Sequence, residues 1–305
     1  MLVLVLQGTK HCNRQPTAKH QYKIACPQAK GEKGNQMKVS NKVLEVLRED
    51  GFNVEAVEVK KNGVVLNGIR YTPEGSNVSP TVYVDGLTDE QAIETCRRLF
   101  RKPVPKIDNP FENFDKSRLF ARIYRKGNSG TDLTREVLNL EVAAAYQFDL
   151  YDGKGSCLIH KAHAESIGID PDELIETALR NTFADCKVYN IEELLAQLME
   201  AADSIFEIPS GPTNMWVLTN TSGCLAAANL LNKEALTKLA ETVESDLFIL
   251  PSSIHEVIVV PTKLGNAEDL KAMVQEINAA EVKADEQLSD SVYRFNLGSK
   301  ELVLA

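Results

Sequence analysis

The chain has 305 residues, 43% hydrophobic and 25% charged, with a formal net charge of −9. That length allows one large domain or two smaller ones, with ample chain to bury a core. The acidic balance argues against a protein dedicated to nucleic acid, which would show a basic face, and no run approaches the roughly 18 apolar residues of a membrane span.

Six cysteines without a CxxC pair indicate neither a zinc module nor a disulfide framework. Thiols in apolar settings, as in CLAAA and SCLI, read as small buried hydrophobes in a reducing cytoplasm. Residues 1–36 carry +5, leaving −14 on the remainder, and show no helical or alternating period after Gly8. Lys30-Gly31-Glu32 can be encoded as a purine-rich ribosome-binding sequence a few codons before Met37. The expectation is that Met37 is the start and residues 1–36 a translated leader. A disordered basic arm is the other reading.

An N-terminal α+β lobe is expected over 37–102. Ser40 precedes Val43, Leu44, Val46 and Leu47 on one helix face. Val54–Lys60 and Val64–Tyr71 read as strands joined at Asn62-Gly63, a pair that favours positive φ and a hairpin turn. Thr81–Val84 reads as a third strand. Thr88 with Gln91 forms a capping box for a helix that turns Ile93, Cys96, Leu99 and Phe100 inward.

Residues 103–116, proline-rich and without period, read as a linker before a C-terminal α+β domain over 117–305. Leu119–Tyr124 fits a strand or a short helix, and Thr131–Leu140 a helix. Two segments look alike, over about 141–184 and 215–245, and suggest an internal repeat. Tyr146–Leu150, a turn at 152–155 and Ser156–His160 precede a helix from Pro171. Met215–Thr219, a turn at 221–223 and Cys224–Ala228 precede a helix from Lys233. Asp170-Pro171-Asp172-Glu173 supplies the cap, N1 proline and first-turn acids of its helix. Another helix starts at Asn190 and Glu193. Asn266 caps the last, and Val292–Asn296 with Leu302–Leu304 closes as a strand pair.

The most apolar paired segment is Asp246–Pro261, DLFILPSSIHEVIVVP. Its runs Leu247–Leu250 and Val257–Val260 read as buried strands flanking a polar tip. The fold class expected is α+β, with mixed, largely antiparallel sheets built from hairpin-plus-helix units packed against helices.

This hairpin, NVSPTVYVD at 77–85, MWVLTN at 215–220 and LSDSVYRF at 288–295 together resemble the bacterial domain of unknown function 5688 family, over roughly residues 38–296. The resemblance implies a bacterial cytoplasmic protein, often associated with mobile elements. It brings no reaction, cofactor or catalytic residue.

Ser252, Ser253, His255 and Glu256 hold the residue types of a nucleophile, a base and an orienting acid. There is no GxSxG elbow, and in an extended segment His255 and Glu256 point to opposite faces. In the plainer reading the serines bond turn backbone groups and His255 is half-buried. His160 and His163, at i and i+3, share a helix face and would hold a metal only if a carboxylate such as Glu165 or Asp170 joined them. Asn77, Tyr83, Trp216 and Tyr293 are candidates for contact with a ligand or partner, against a core role for strand aromatics. No cofactor is indicated. The reading is a non-catalytic binding or accessory module for a protein partner or small molecule. The alternative is a hydrolase-like enzyme using Ser252 or Ser253 with His255.

Overall fold

The computed structural model describes residues 39–104, 109–150, 153–192 and 214–305. The leader and most of the helix expected from Asn190 and Glu193 lie outside these residues. The described residues fall into two compact units. One runs to Phe114 and takes in Phe148–Gly155; the other holds Asp115–Gln147 and Ser156–Ala305.

In the first unit, α1 (Asn41–Glu49) buries Val43, Leu44 and Leu47. β1 (Val54–Lys61) and β2 (Val64–Tyr71) pair antiparallel from Val54↔Tyr71 to Lys61↔Val64. Asn62 and Gly63 between them sit at φ 46° and 81°, the two positive values a tight hairpin turn requires. β3 (Thr81–Tyr83) adds to β2. α2 (Asp89–Phe100) opens on a reciprocal cap: Gln91 N donates to Thr88 Oγ1 and Thr88 N to Gln91 Oε1. Helices and sheet enclose a core of Val43, Leu47, Val54, Ile69, Cys96 and Phe100.

The second unit contains two sheets, the first of them up to Gln147 and from Ser156 onward. β4 (Leu119–Arg125), β5 (Thr134–Val137), β6 (Leu140–Leu150) and β7 (Gly153–Leu158) form a four-stranded sheet around β6. α3 (Lys161–Ile167) and α4 (Pro171–Ala184) follow. Asp170 caps α4 by accepting from Asp172 N and Glu173 N, and Leu174, Ile175 and Ala178 are buried. α4 packs on β4, where Ala121 N donates to Thr182 Oγ1 at 2.8 Å.

The larger sheet is built from β8 (Cys186–Asn190), β9 (Trp216–Asn220), β10 (Leu247–Leu250), β11 (Val257–Pro261), β12 (Tyr293–Asn296) and β13 (Glu301–Leu304). Its order is β13-β12-β10-β11-β9-β8, antiparallel throughout. α5 (Lys233–Val243) and α6 (Ala267–Ala280) complete the unit. The β10–β11 hairpin lies at the centre, with Ile249 opposite Val259 and both fully buried. One sheet face packs Phe248, Leu250 and Val260 against Val274 of α6. The other buries Leu247, Ile249, Val257, Tyr293 and Phe295. Sheets hydrophobic on both faces give continuous apolar runs instead of alternation, which is why LFIL and VIVV read as they do. Across the described residues, six helices and largely antiparallel open sheets make an α+β fold.

Three expectations fail locally. Thr131–Leu140 is not a helix: it contains β5, which reverses through Leu138 and Asn139 onto β6 with Val137 opposite Leu140. Leu138 adopts φ 56° there. β6 begins six residues before Tyr146, because Ala143, Ala144 and Ala145 are buried on both faces and small side chains hide a strand from period-based reading. Cys224–Ala228 is not a strand: Ala227–Leu231 is a 3-10 turn. Ala226 N and Ala227 N donate to His255 O and Ile254 O, so these residues hydrogen-bond to the hairpin tip. Only the first of the two look-alike segments therefore carries both strands. β8 gave no sequence signal.

Candidate functional site

The polar tip joins β10 to β11 across residues 251–256. Two segments clamp its backbone. From one side, Ser289 N donates to Pro251 O at 3.0 Å, Leu288 N to Ser252 O at 2.9 Å, and Ile254 N to Glu286 O at 3.0 Å. From the other, Ala226 N donates to His255 O at 2.9 Å. His255 is 5% exposed.

The ring of His255 has defined surroundings. Nδ1 accepts the Leu225 backbone N–H at 3.3 Å. A neutral imidazole has one acceptor nitrogen and one donor, so the proton sits on Nε2. Nε2 faces Glu286 Oε1 at 3.6 Å, beyond hydrogen-bond length, and is buried without a hydrogen bond. Leu225 makes its donation from φ 54°, a costly conformation for a non-glycine residue that surrounding structure must hold. Ser253 Oγ accepts the His255 backbone N–H at 3.1 Å, so the two residues meet through backbone and not through the ring. Ser252 contributes its carbonyl oxygen. Burial pushes the Glu256 carboxyl up to about 7.

Tyr293 and Trp216 share one face of the large sheet. The register Trp216↔Val259↔Ile249↔Tyr293 crosses four strands, a separation of about 14 Å at the usual interstrand spacing. They do not form a cluster. Tyr293 is fully buried; its hydroxyl donates to Asn139 Oδ1 and lies 3.4 Å from Ser289 Oγ. Trp216 is half-buried, with Nε1 enclosed and without a hydrogen bond. In the first unit Asn77 is exposed and Tyr83 half-buried, with Lys61 Nζ 5.8 Å from the Tyr83 ring centroid.

His160 and His163 meet edge to face, centroids 5.4 Å apart. His163 Nδ1 accepts the His160 backbone N–H at 3.2 Å and so helps close the first turn of α3. The carboxylate beside His160 is Asp132, at 3.4 Å, not Glu165 or Asp170. Among the described residues no group of three His, Cys, Asp or Glu side chains is placed to hold a metal ion. Cys96, Cys157 and Cys186 are free thiols, and burial pushes Cys96 up to about 12 and Cys186 to about 11.

Sequence reading also missed a pocket of about 370 Å³ in the first unit, between the loop after Tyr71 and the end of α2. Its only sequence signal is the turn-forming Pro73-Glu74-Gly75-Ser76. No helix among the described residues is long and apolar enough to cross a membrane.

One protein-family model, described as "Family of unknown function (DUF5688)", matches residues 133–297. That is more than half of the chain, and it begins later than the span over which the sequence segments carry their resemblance. No curated protein matches, and no solved structure matches.

Proposed function

Because the chain belongs to the DUF5688 family, whose function is unknown, we propose from its own residues that it is a non-catalytic binding or accessory module for a protein partner or small ligand. The observation that carries this reading is the state of His255. The one ring nitrogen able to accept a proton from a serine is occupied by the Leu225 N–H. Ser253 is spent on backbone, and the tip is clamped from two sides. A general base needs a free acceptor within reach of the proton it takes. The test is a screen of the full chain against ester, amide and phosphate substrates, together with a serine-reactive probe. No turnover and no labelling are expected. Turnover or labelling that Ser252→Ala, Ser253→Ala or His255→Ala abolishes would overturn the reading.

A second reading keeps catalysis at the tip but moves it to Glu256. A carboxyl raised to about 7 is suited to proton transfer near neutral pH. Activity lost in Glu256→Gln and retained in both serine variants would favour it. A bacterial cytoplasmic setting belongs to the same proposal. The three free thiols support it.

A further inference from the structure

We propose that the pocket of the first unit is a site for a small zwitterion, an amino acid with an apolar side chain. This rests on the binding-module reading and names its ligand class. Tyr71 and Phe100 line the pocket, with ring centroids 5.0 Å apart and planes at 33°. Phe52 packs edge-on against both, at 5.4 and 5.8 Å. Tyr71, half-buried, offers its ring to the pocket, while Phe100, 3% exposed, and Phe52 brace it from behind, so that the apolar surface needs no reordering on binding.

Glu74 and Arg101 line the same pocket with opposite charges. Both are exposed, and neither side chain is hydrogen-bonded or ion-paired among the described residues. Arg101 adds only its field to the Asp50–Arg97 pair. Three other arginines of the unit are engaged, Arg48 with Val54 O, Arg70 with Glu55 and Arg97 with Asp50, and Lys102, which also lines the pocket, is engaged as well. An unspent acid and an unspent base over an aromatic surface complement a ligand with one carboxylate and one ammonium group. The guanidinium would take the carboxylate in a bidentate pair, Glu74 the ammonium, and the Tyr71 ring the apolar side chain.

The loop that carries Glu74 is braced by its own bonds. Ser76 N donates to Pro73 O at 3.4 Å, and Ser76 Oγ bonds Val78 N at 3.1 Å and Val78 O at 3.2 Å. Gly75 at φ 74° holds the turn. A volume of about 370 Å³ lies at the small end of ligand pockets, which run from about 300 to 1,000 Å³, and suits an amino acid better than a nucleotide.

Calorimetric titration of the full chain with L-phenylalanine, phenylacetate and phenethylamine tests the site. Phenylalanine should bind saturably, and each probe lacking one charge should bind about tenfold more weakly or worse. Arg101→Gln should erase the advantage of phenylalanine over phenethylamine, and Glu74→Gln its advantage over phenylacetate. Both side chains are on the surface, so thermal melts should stay unchanged. Equal affinity for the three probes, or no saturable heat with phenylalanine, overturns the proposal. The binding-module reading is judged separately, by the turnover screen on the tip variants.

Discussion

His255 and Glu256 are consecutive in sequence yet meet different surroundings. His255 is held by a backbone N–H and faces Glu286, whereas Glu256 is desolvated and its carboxyl is pushed up to about 7. A carboxyl whose folded pKa lies above its unfolded value of 4.5 keeps its proton longer in the native state. Stability is therefore highest below about pH 4.5 for this group and is lost as pH rises toward 7. The loss is at most about 3–4 kcal/mol, at 1.36 kcal/mol per unit over the 2.5 units from 4.5 to about 7. Urea titrations of wild type and Glu256→Gln at pH 4.5 and 7.5 check this. The variant should gain relative to wild type at the higher pH, and a pH-independent difference would refute the desolvation account. The serines predict a smaller effect. Ser253→Ala removes one bond to the His255 N–H and should cost about 0.5–1.5 kcal/mol. Ser252→Ala should cost less than that, because Ser252 bonds Leu288 through its carbonyl oxygen. Equal losses in the same titrations would show that the Ser253 bond contributes nothing special.

At the scale of elements, the β10–β11 hairpin places Ile249 and Val259 opposite each other with no exposed surface. Deleting either side chain to alanine leaves a cavity in a sheet packed on both faces. Ile249→Ala should cost about 2–5 kcal/mol and Val259→Ala somewhat less, read as a shift in urea midpoint without a change in slope. A loss below about 0.5 kcal/mol at both would mean that another element organises the unit. The first unit offers a local comparison. Thr88→Ala removes half of a reciprocal cap and should cost about 0.5–2 kcal/mol. Turn and cap chemistry of this kind is written in adjacent residues. Thr88 with Gln91, Asp170 with Pro171, and Asn62 with Gly63 were each legible before any tertiary contact was considered. β5 was not legible, because its strand character comes from pairing with β6 and not from its own period. The alanine-rich centre of β6 was missed for a related reason: burial on both faces selects small side chains there, and these carry no alternation.

Across the whole molecule, several carboxylates are held below their ordinary range by bonds to partners. A hydrogen bond from Arg97 does this for Asp50, one from Leu297 N and then Arg294 for Asp246, and backbone donors for Asp132. Glu141 is lowered despite its burial, because the backbone N–H groups of Gly127, then Ser129 and Asn128, donate to it. Their sign is opposite to that of Glu256. Stability from depressed carboxylates is present above the unfolded pKa and is lost as pH falls through the folded one. The full chain should therefore lose stability below about pH 4. That acid limb should persist in Glu256→Gln, while the decline between 4.5 and 7 should flatten. Circular-dichroism melts from pH 2.5 to 8 separate the two limbs, and loss of both in the one variant would contradict the assignment.

The sequence by itself determined the α+β class, the amphipathic faces of the helices, the capped helix starts and the central hairpin. These follow from side-chain periodicity and from hydrogen bonds between residues a few positions apart, which act before the chain is folded. The tertiary structure alone decided what the polar residues can do. The donor to His255 Nδ1 is Leu225, thirty residues earlier, and the acid facing Nε2 is Glu286, thirty-one residues later. Glu74 and Arg101 reach one pocket from a loop and a helix end. No local pattern encodes such meetings. They depend on strand order and register, which are set by the burial of the whole sheet.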